Sequence, residues 1–266
     1  MSSLASRSKT GVERVGTWEN VVEDRSAVVV RESYLIIKRL MDLALSLIGL
    51  VALAPVMAAI AILIKIDSPG PVLFLQTRIG KKGHPFEILK FRTMTYGLDD
   101  SYHKAFMRAF VRGEINAENP TASHLSSSQD SCLQRRLQAR SDPDQTETVD
   151  FKPFQDSQVT RVGRFLRKTS LDELPQMINI LRGEMSWVGP RPNVPWEVEE
   201  YRDWQRARLA VLPGITGLAQ VNGRSAIDFD TIAKYDIEYV QTRNLWLDVS
   251  ILAQTVLSVL SGRGAH

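Results

Sequence analysis

The chain has 266 residues and a formal net charge of +3, with 33 Lys and Arg against 30 Asp and Glu. That length supplies one or two domains with a sizeable core, and the near balance of charge excludes a general nucleic-acid binder, which would carry a large basic excess. The lone Cys132 excludes an internal disulfide or a cysteine-rich zinc site and fits a reducing compartment, while His84, His103, His124 and His266 show no metal-binding spacing.

Residues 1–33 are polar and mixed in charge. They lack the basic start, compact apolar stretch and small-residue cleavage site of a secretory signal, and are expected to form a flexible cytoplasmic extension. Val28–Val30 reads as a short strand or part of a helix.

From Leu43 to Ile64 no residue is charged, enough chain to cross a hydrocarbon core roughly 30 Å thick. Pro55 sits near the midpoint, where it removes a backbone hydrogen bond. Lys38 and Arg39 precede the run, and Lys65, Arg78, Lys81 and Lys82 follow it. Positive flanks on both sides favour one membrane face for both ends. A helix over 34–66 that bends at Pro55 and returns fits these features; a single span fits the length equally well.

After a turn at Asp67–Pro71, the β-rich runs 72–76 and 86–91 flank the Gly80–Gly83 turn, which predicts a hairpin. Strand alternation places Lys90 and Arg92 on one face, suited to phosphate or simply to solvent. Residues 97–157 read as an insertion, opening with an amphipathic helix over Tyr102–Val111. Residues 119–156 are rich in Ser, Asp, Gln and Pro and are expected to be loop or disordered.

The densest chemistry follows. Arg161, Arg164, Arg167 and Lys168 precede Thr169-Ser170-Leu171-Asp172-Glu173-Leu174-Pro175-Gln176. Leu174, Ile178 and Leu181 recur at helical spacing, with Asp172, Gln176 and Asn179 on another face. Pro175 belongs in a first turn, so a helix is predicted to begin near Ser170–Asp172. Its dipole and the neighbouring cations would favour ionised carboxylates there. Ser170 and Glu173 also fit a capping box, in which both side chains serve only the backbone.

Gly189-Pro190-Arg191-Pro192 is a stiff turn presenting one guanidinium, a geometry suited to phosphate. Residues 194–211 read as a charged helix with a solvated face. The stretch 213–224 holds three glycines, Gln220 and Arg224, and a glycine-rich loop can turn backbone N–H groups toward an anion. Residues 231–260 look helical. Their stripe of Val249, Leu252, Val256 and Val259 suits core packing or a bilayer surface.

In order, the membrane segment, Ser-Pro-Gly-Pro-Val, Lys-Phe-Arg-Thr-Met, Arg-Lys-Thr-Ser-Leu-Asp-Glu-Leu-Pro-Gln, Gly-Pro-Arg-Pro and Pro-Gly-Ile-Thr-Gly-Leu-Ala-Gln-Val-Asn-Gly-Arg resemble the bacterial sugar transferases known as small monotopic phosphoglycosyl transferases. The resemblance covers about residues 34–96 and 157–262. It implies an α/β, helix-rich catalytic domain over 67–262 on the cytoplasmic face of the bacterial inner membrane. A re-entrant helix hairpin broken at Pro55 and amphipathic interfacial helices would hold it to the lipid bilayer.

The implied reaction moves a phospho-sugar from a UDP-sugar to polyprenyl phosphate with Mg²⁺, giving polyprenyl-diphosphate-sugar and UMP, the opening step of polysaccharide assembly. Asp172 would be the nucleophile, with Glu173 beside it and both carboxylates available to the metal. Lys90, Arg92, Arg167, Arg191, Gln220 and Arg224 would line the phosphate and nucleotide site. The sequence departs from the family pattern with Ala54 before Pro55, where many members have Ser, and with a longer 97–157 insertion, which would act in substrate selection or homo-oligomer formation. The N-terminal extension shows no further apolar segment, so the multi-span domain of large members is expected to be missing. The rival readings are a non-catalytic membrane scaffold and a membrane phosphatase that discharges the aspartyl intermediate with water.

Overall fold

The computed structural model describes residues 32–95, 101–113, 158–223 and 227–260. The apolar run forms one helix, α1 (Glu32–Asp67), that continues through Pro55. By length and composition it could cross a membrane. Its positions Asp42, Ser46, Gly49, Leu53, Met57, Ile60 and Ile64 recur at three- and four-residue spacing and are buried or half-buried, while Leu47, Ile48, Val51, Val56 and Ile62 are exposed. One stripe of α1 therefore faces the protein and the rest of its apolar surface does not.

Both ends of α1 are tied to the same folded unit. Near the start, Lys38 Nζ pairs with Asp248 Oδ2 at 3.0 Å, Arg39 Nη1 donates to the Ile180 carbonyl at 2.7 Å, and Asp42 Oδ1 accepts from Trp187 N at 3.1 Å. At the end, Asp67 Oδ2 accepts from Val162 N at 2.9 Å, and Ile60 and Ile64 pack with Phe91 and Leu166.

The predicted hairpin is present as β1 (Leu73–Ile79) and β2 (Pro85–Phe91), antiparallel with Phe74 opposite Lys90 and Arg78 opposite Phe86. Helix α2 (Ser101–Arg112) opens the insertion where the amphipathic pattern placed it, and Phe110 and Val111 pack with Val198, Tyr201 and Phe229. The remainder of the insertion, 114–157, lies outside the described residues, as do Arg224 and the extension with Val28–Val30.

Helices α3 (Arg161–Thr169) and α4 (Gln176–Arg182) bracket the carboxylates. The predicted stripe Leu174, Ile178 and Leu181 is only half-buried; Met177, Asn179 and Ile180 form the deep side of α4. Asn179 accepts from Leu89 N at 3.0 Å and donates to the Glu87 carbonyl at 2.7 Å, which locks α4 to β2. A second sheet, not anticipated from the sequence, pairs β3 (Ser186–Val188) with β4 (Gly214–Thr216) in parallel. It needs glycine, since a Cβ on Gly189 would lie 2.4 Å from the Leu212 carbonyl oxygen.

The segment expected to be a solvated charged helix is instead a short helix, α5 (Pro195–Glu199), and a 3₁₀ stretch, Asp203–Ala210, in which Glu197, Gln205 and Arg208 are buried. Each finds internal partners, Glu197 with Asn193 and Gln205 with Asp230. Periodicity of charge could not reveal this.

The last described elements are α6 (Leu218–Asn222), α7 (Phe229–Thr242) and α8 (Leu245–Leu260). On α8, Ile251 and Asp248 are buried, whereas Trp246 is 81% exposed and Val249, Val256, Leu257 and Val259 are exposed with it. Of the predicted stripe only Leu252 packs against the core, beside Val188, Tyr239 and Ile251, while Val249, Val256 and Val259 face outward. The architecture is a mixed, helix-rich α/β fold carrying one long apolar helix.

Asp248 joins three elements, accepting from Tyr34 and Lys38 of α1 and from Tyr239 of α7. Asp248→Ala leaves Lys38 without its anion, and a loss of about 3–5 kcal/mol is expected. Tyr34→Phe, which deletes one hydrogen bond, should cost about 1 kcal/mol. Denaturant unfolding in detergent reads both; equal small losses would dissociate Asp248 from the anchoring of α1.

Candidate active site

Thr160 starts α3, its Oγ1 accepting from Gly163 N at 2.9 Å. Gly163 lies so close to the hairpin exit that a Cβ there would sit 2.0 Å from the Thr93 carbonyl oxygen. The helix stops at Ser170, which adopts the left-handed conformation with φ of 56°. Leu171–Glu173 then form a single 3₁₀ turn, and α4 begins only at Gln176. The helix start thus lies four to six residues after the predicted position. The reason is local: the left-handed Ser170 reverses the chain, and Pro175 caps α4.

No capping box forms at this turn, where Ser170 makes no side-chain cap. The Glu173 side chain goes elsewhere. Its Oε1 meets Lys90 Nζ at 2.7 Å and Arg191 Nη1 at 3.4 Å. The Asp172 carboxylate accepts no hydrogen bond from a described residue. The turn rests on apolar support, with Leu171 and Leu174 packed against the cluster of Ile60, Ile64, Phe91 and Leu166.

These surroundings separate the two carboxyls. Burial alone would raise the Glu173 pKa, but Lys90 and Arg191 outweigh it and hold the group down at about 2. Burial pushes the Asp172 carboxyl up, and the Glu173 charge adds to the rise against the opposing pull of Lys90, Arg191 and Arg167. Burial lowers the Lys90 pKa, with Glu173 opposing it. A pair of carboxyls driven apart by their surroundings is a signature of acid, base or nucleophile chemistry.

The predicted site residues divide clearly. Lys90 and Arg191 join the two carboxylates, and Arg167 acts on Asp172 by charge while its Nε donates to Thr93 Oγ1 at 3.0 Å. Arg92 follows the same alternation as Lys90, but its guanidinium donates to the Ser68 and Pro69 carbonyls at 2.8 Å and secures the turn after α1. Gln220 Nε2 donates to the Ile215 carbonyl at 3.3 Å.

Two residues of the site escaped the sequence reading. A small pocket is lined by Arg78, Lys90, Glu173, Gln176, Arg191 and Gly214, with neighbouring apolar residues. Burial lowers the Arg78 pKa to about 10, and Gln176 is 2% exposed with no partner for its Nε2. In sequence Arg78 reads only as one of the cations flanking the membrane run. Alternation along β1 would have found it, because the hairpin register puts Gln76 and Arg78 on the face of Ile88 and Lys90.

The chain matches the bacterial sugar transferase family over residues 33–262. It is 35% identical over 257 residues to the galactosyl transferase CpsE of Streptococcus agalactiae, covering 96% of this chain and 49% of that protein. It is 36% identical to the undecaprenyl-phosphate galactose phosphotransferase of Salmonella typhimurium, over 86% of this chain and 42% of that one. With the exopolysaccharide production protein ExoY of Sinorhizobium fredii the identity is 36%, over 86% of this chain and 88% of the relative. The chain spans about half the length of CpsE and less of the Salmonella protein.

Glu173→Gln removes the anion that supports the charged form of Lys90, leaving burial to lower its pKa further. Acylation of Lys90 by acetic anhydride at pH 8, followed by peptide mass spectrometry, should be faster in the variant. Unchanged labelling would mean that the pair does not govern Lys90 in solution.

Proposed function

The chain belongs to the bacterial sugar transferase family, and on that premise we propose that it transfers a sugar phosphate from a UDP-sugar to polyprenyl phosphate through Asp172. The observation that carries this reading is the division of labour between the carboxylates: Glu173 is engaged by Lys90 and Arg191, while Asp172 beside it is left without a hydrogen bond among the described residues. A carboxylate that is close to cations yet not consumed by them is available as a nucleophile. The relatives named as undecaprenyl-phosphate phosphotransferases support the substrate class.

In the proposed reaction an Asp172 oxygen attacks the β-phosphorus of the UDP-sugar. The bond from that phosphorus to the bridging oxygen breaks, and UMP leaves with the electron pair. The aspartyl-phosphosugar is then attacked at the same phosphorus by a phosphate oxygen of polyprenyl phosphate. This regenerates the carboxylate and gives polyprenyl-diphosphate-sugar. Lys90 and Arg191 neutralise charge as the diphosphate divides. Arg167 favours the ionised form of Asp172.

The donor set fits Mg²⁺. The oxygens not engaged by described cations are those of Asp172 and Oε2 of Glu173, and one or two carboxylates plus substrate phosphates are the usual ligands of this ion. Among the described residues no group of three or more His, Cys, Asp and Glu offers an all-protein cage. Bound there, the ion would offset the negative charge of the diphosphate.

For the membrane we propose that α1 is re-entrant, with the catalytic domain on the cytoplasmic face of the inner membrane. Both ends of α1 bond to one polar domain, which cannot lie on both sides of a bilayer. The exposed apolar face of α8 would rest at the same interface.

Asp172→Asn is expected to lower UMP release from a UDP-sugar panel with polyprenyl phosphate by on the order of 10³-fold or more. It should also abolish the protein-bound label left by a UDP-sugar labelled in its β-phosphate when lipid is omitted. UMP release without any lipid requirement would favour the phosphatase, and no release with any sugar the scaffold.

The reactive form of Asp172 is deprotonated, so the rate should rise with pH through its elevated pKa. Lys90→Gln removes a charge that lowers that pKa, and the acidic limb of kcat/KM should therefore move to higher pH. A limb that stays in place would remove Asp172 as the titrating group.

A further inference from the structure

Every carbonyl from Pro190 to Asn193 is held. Gly214 N donates to Pro190 at 2.9 Å, Arg208 Nη2 to Arg191 at 3.2 Å, Arg78 Nη1 to Pro192 at 3.1 Å and Ile79 N to Asn193 at 2.8 Å. The donors come from β4, the 3₁₀ stretch and β1, and two prolines restrict the loop further. The backbone of Arg191 is thus fixed from three elements, while its side chain is 52% exposed and free to meet an incoming group.

Arg208 is the unusual member of this set. It is 2% exposed, and its counter-ion Asp236 is 1% exposed, with Nη2 and Oδ2 2.5 Å apart. Its Nη1 donates to the Tyr201 hydroxyl at 2.8 Å, and its guanidinium lies 5.6 Å from the Tyr201 ring centre and 5.5 Å from that of Phe229. A buried ion pair is a weak source of stability, since apolar residues of similar volume commonly serve as well. What apolar residues cannot supply is a planar fork of directed donors. One prong of this fork points at the backbone of the residue whose side chain reaches Glu173.

We propose that Arg208 is a positioning residue for Arg191. By holding the Arg191 carbonyl it sets the direction in which the Arg191 guanidinium meets the diphosphate of a nucleotide substrate, a role that rests on the reading of the site given above. Helix α2 belongs to the same support, because Phe110 and Val111 pack against Tyr201 and Phe229. Helix α2 thereby backs the residues that hold Arg208.

The test is a double-mutant cycle on UDP affinity, measured by calorimetry on the full chain in detergent. Arg208→Lys keeps a cation opposite Asp236 but replaces the fork by a single ammonium. It should weaken UDP binding about tenfold, the scale of one charge-assisted hydrogen bond. In an Arg191→Ala background the same substitution should change nothing further. An equal loss in both backgrounds would make Arg208 a merely structural residue and overturn the proposal, as would unaltered affinity in the Arg208→Lys single variant.

Tyr201→Phe covers the case in which Arg208→Lys does not fold. It frees one nitrogen of Arg208 and leaves the ring stack intact, so a smaller loss, about threefold, should again require Arg191. The same loss in both backgrounds would overturn the proposal by that route. Failure of the unsubstituted protein to bind UDP would instead remove the nucleotide-sugar reading on which the proposal stands.

Discussion

A lysine and a glutamate held 2.7 Å apart, with side chains only 16% and 17% exposed, join the hairpin to the turn that carries the two carboxylates. Neither charge is stable in that position alone. Taking each out of water is costly, and the cost is offset only when partner and geometry are both in place. The hairpin must therefore stop where Lys90 faces the turn, and the turn must present Glu173 at its mouth. Asn179 enforces the first requirement by fastening α4 to the backbone of Leu89 and Glu87. The left-handed Ser170 enforces the second by ending α3 one turn before the carboxylates.

The pair also explains why two adjacent carboxyls differ. Glu173 is the one that receives the cations, and this sets its pKa below that of Asp172. A helix dipole acting equally on both would not separate them. In the structure the dyad occupies a 3₁₀ turn instead of an α-helical first turn, so the dipole is not the main local field. Specific ion pairing is.

Much of this was readable from residue order, because local rules governed it. The hairpin followed from two β-rich runs around a glycine turn, the long apolar helix from the absence of charge, and the amphipathic α2 from Phe106, Phe110 and Val111 against charged neighbours. Lys90 and Arg191 came from motif resemblance, and the fold brings both to Glu173. The failures are of one kind. Arg92 obeys the same strand alternation as Lys90, yet the carbonyls of Ser68 and Pro69, in the turn before β1, take its guanidinium. Glu197 and Arg208 look solvated because charge normally is; Asn193 and the Val194 amide satisfy the first locally, and the burial of the second depends on Asp236, distant in sequence. The short parallel pairing of Ser186 with Gly214 also depends on long-range closure that no window of sequence contains.

The apolar side of the carboxylate turn leans on the same cluster that contains Ile60 and Ile64 of the long helix. On the proposed reading, a site mounted in this way would have a fixed altitude, because the element that would enter the lipid is also the floor beneath the carboxylates. For the proposed lipid acceptor, the search would become lateral diffusion in a plane, and capture would depend on its surface density instead of its concentration in bulk. The proposed water-soluble donor would still arrive from three dimensions. Two reactants that share no common phase would thus meet at one height, set by how a leucine-rich turn sits on a helix.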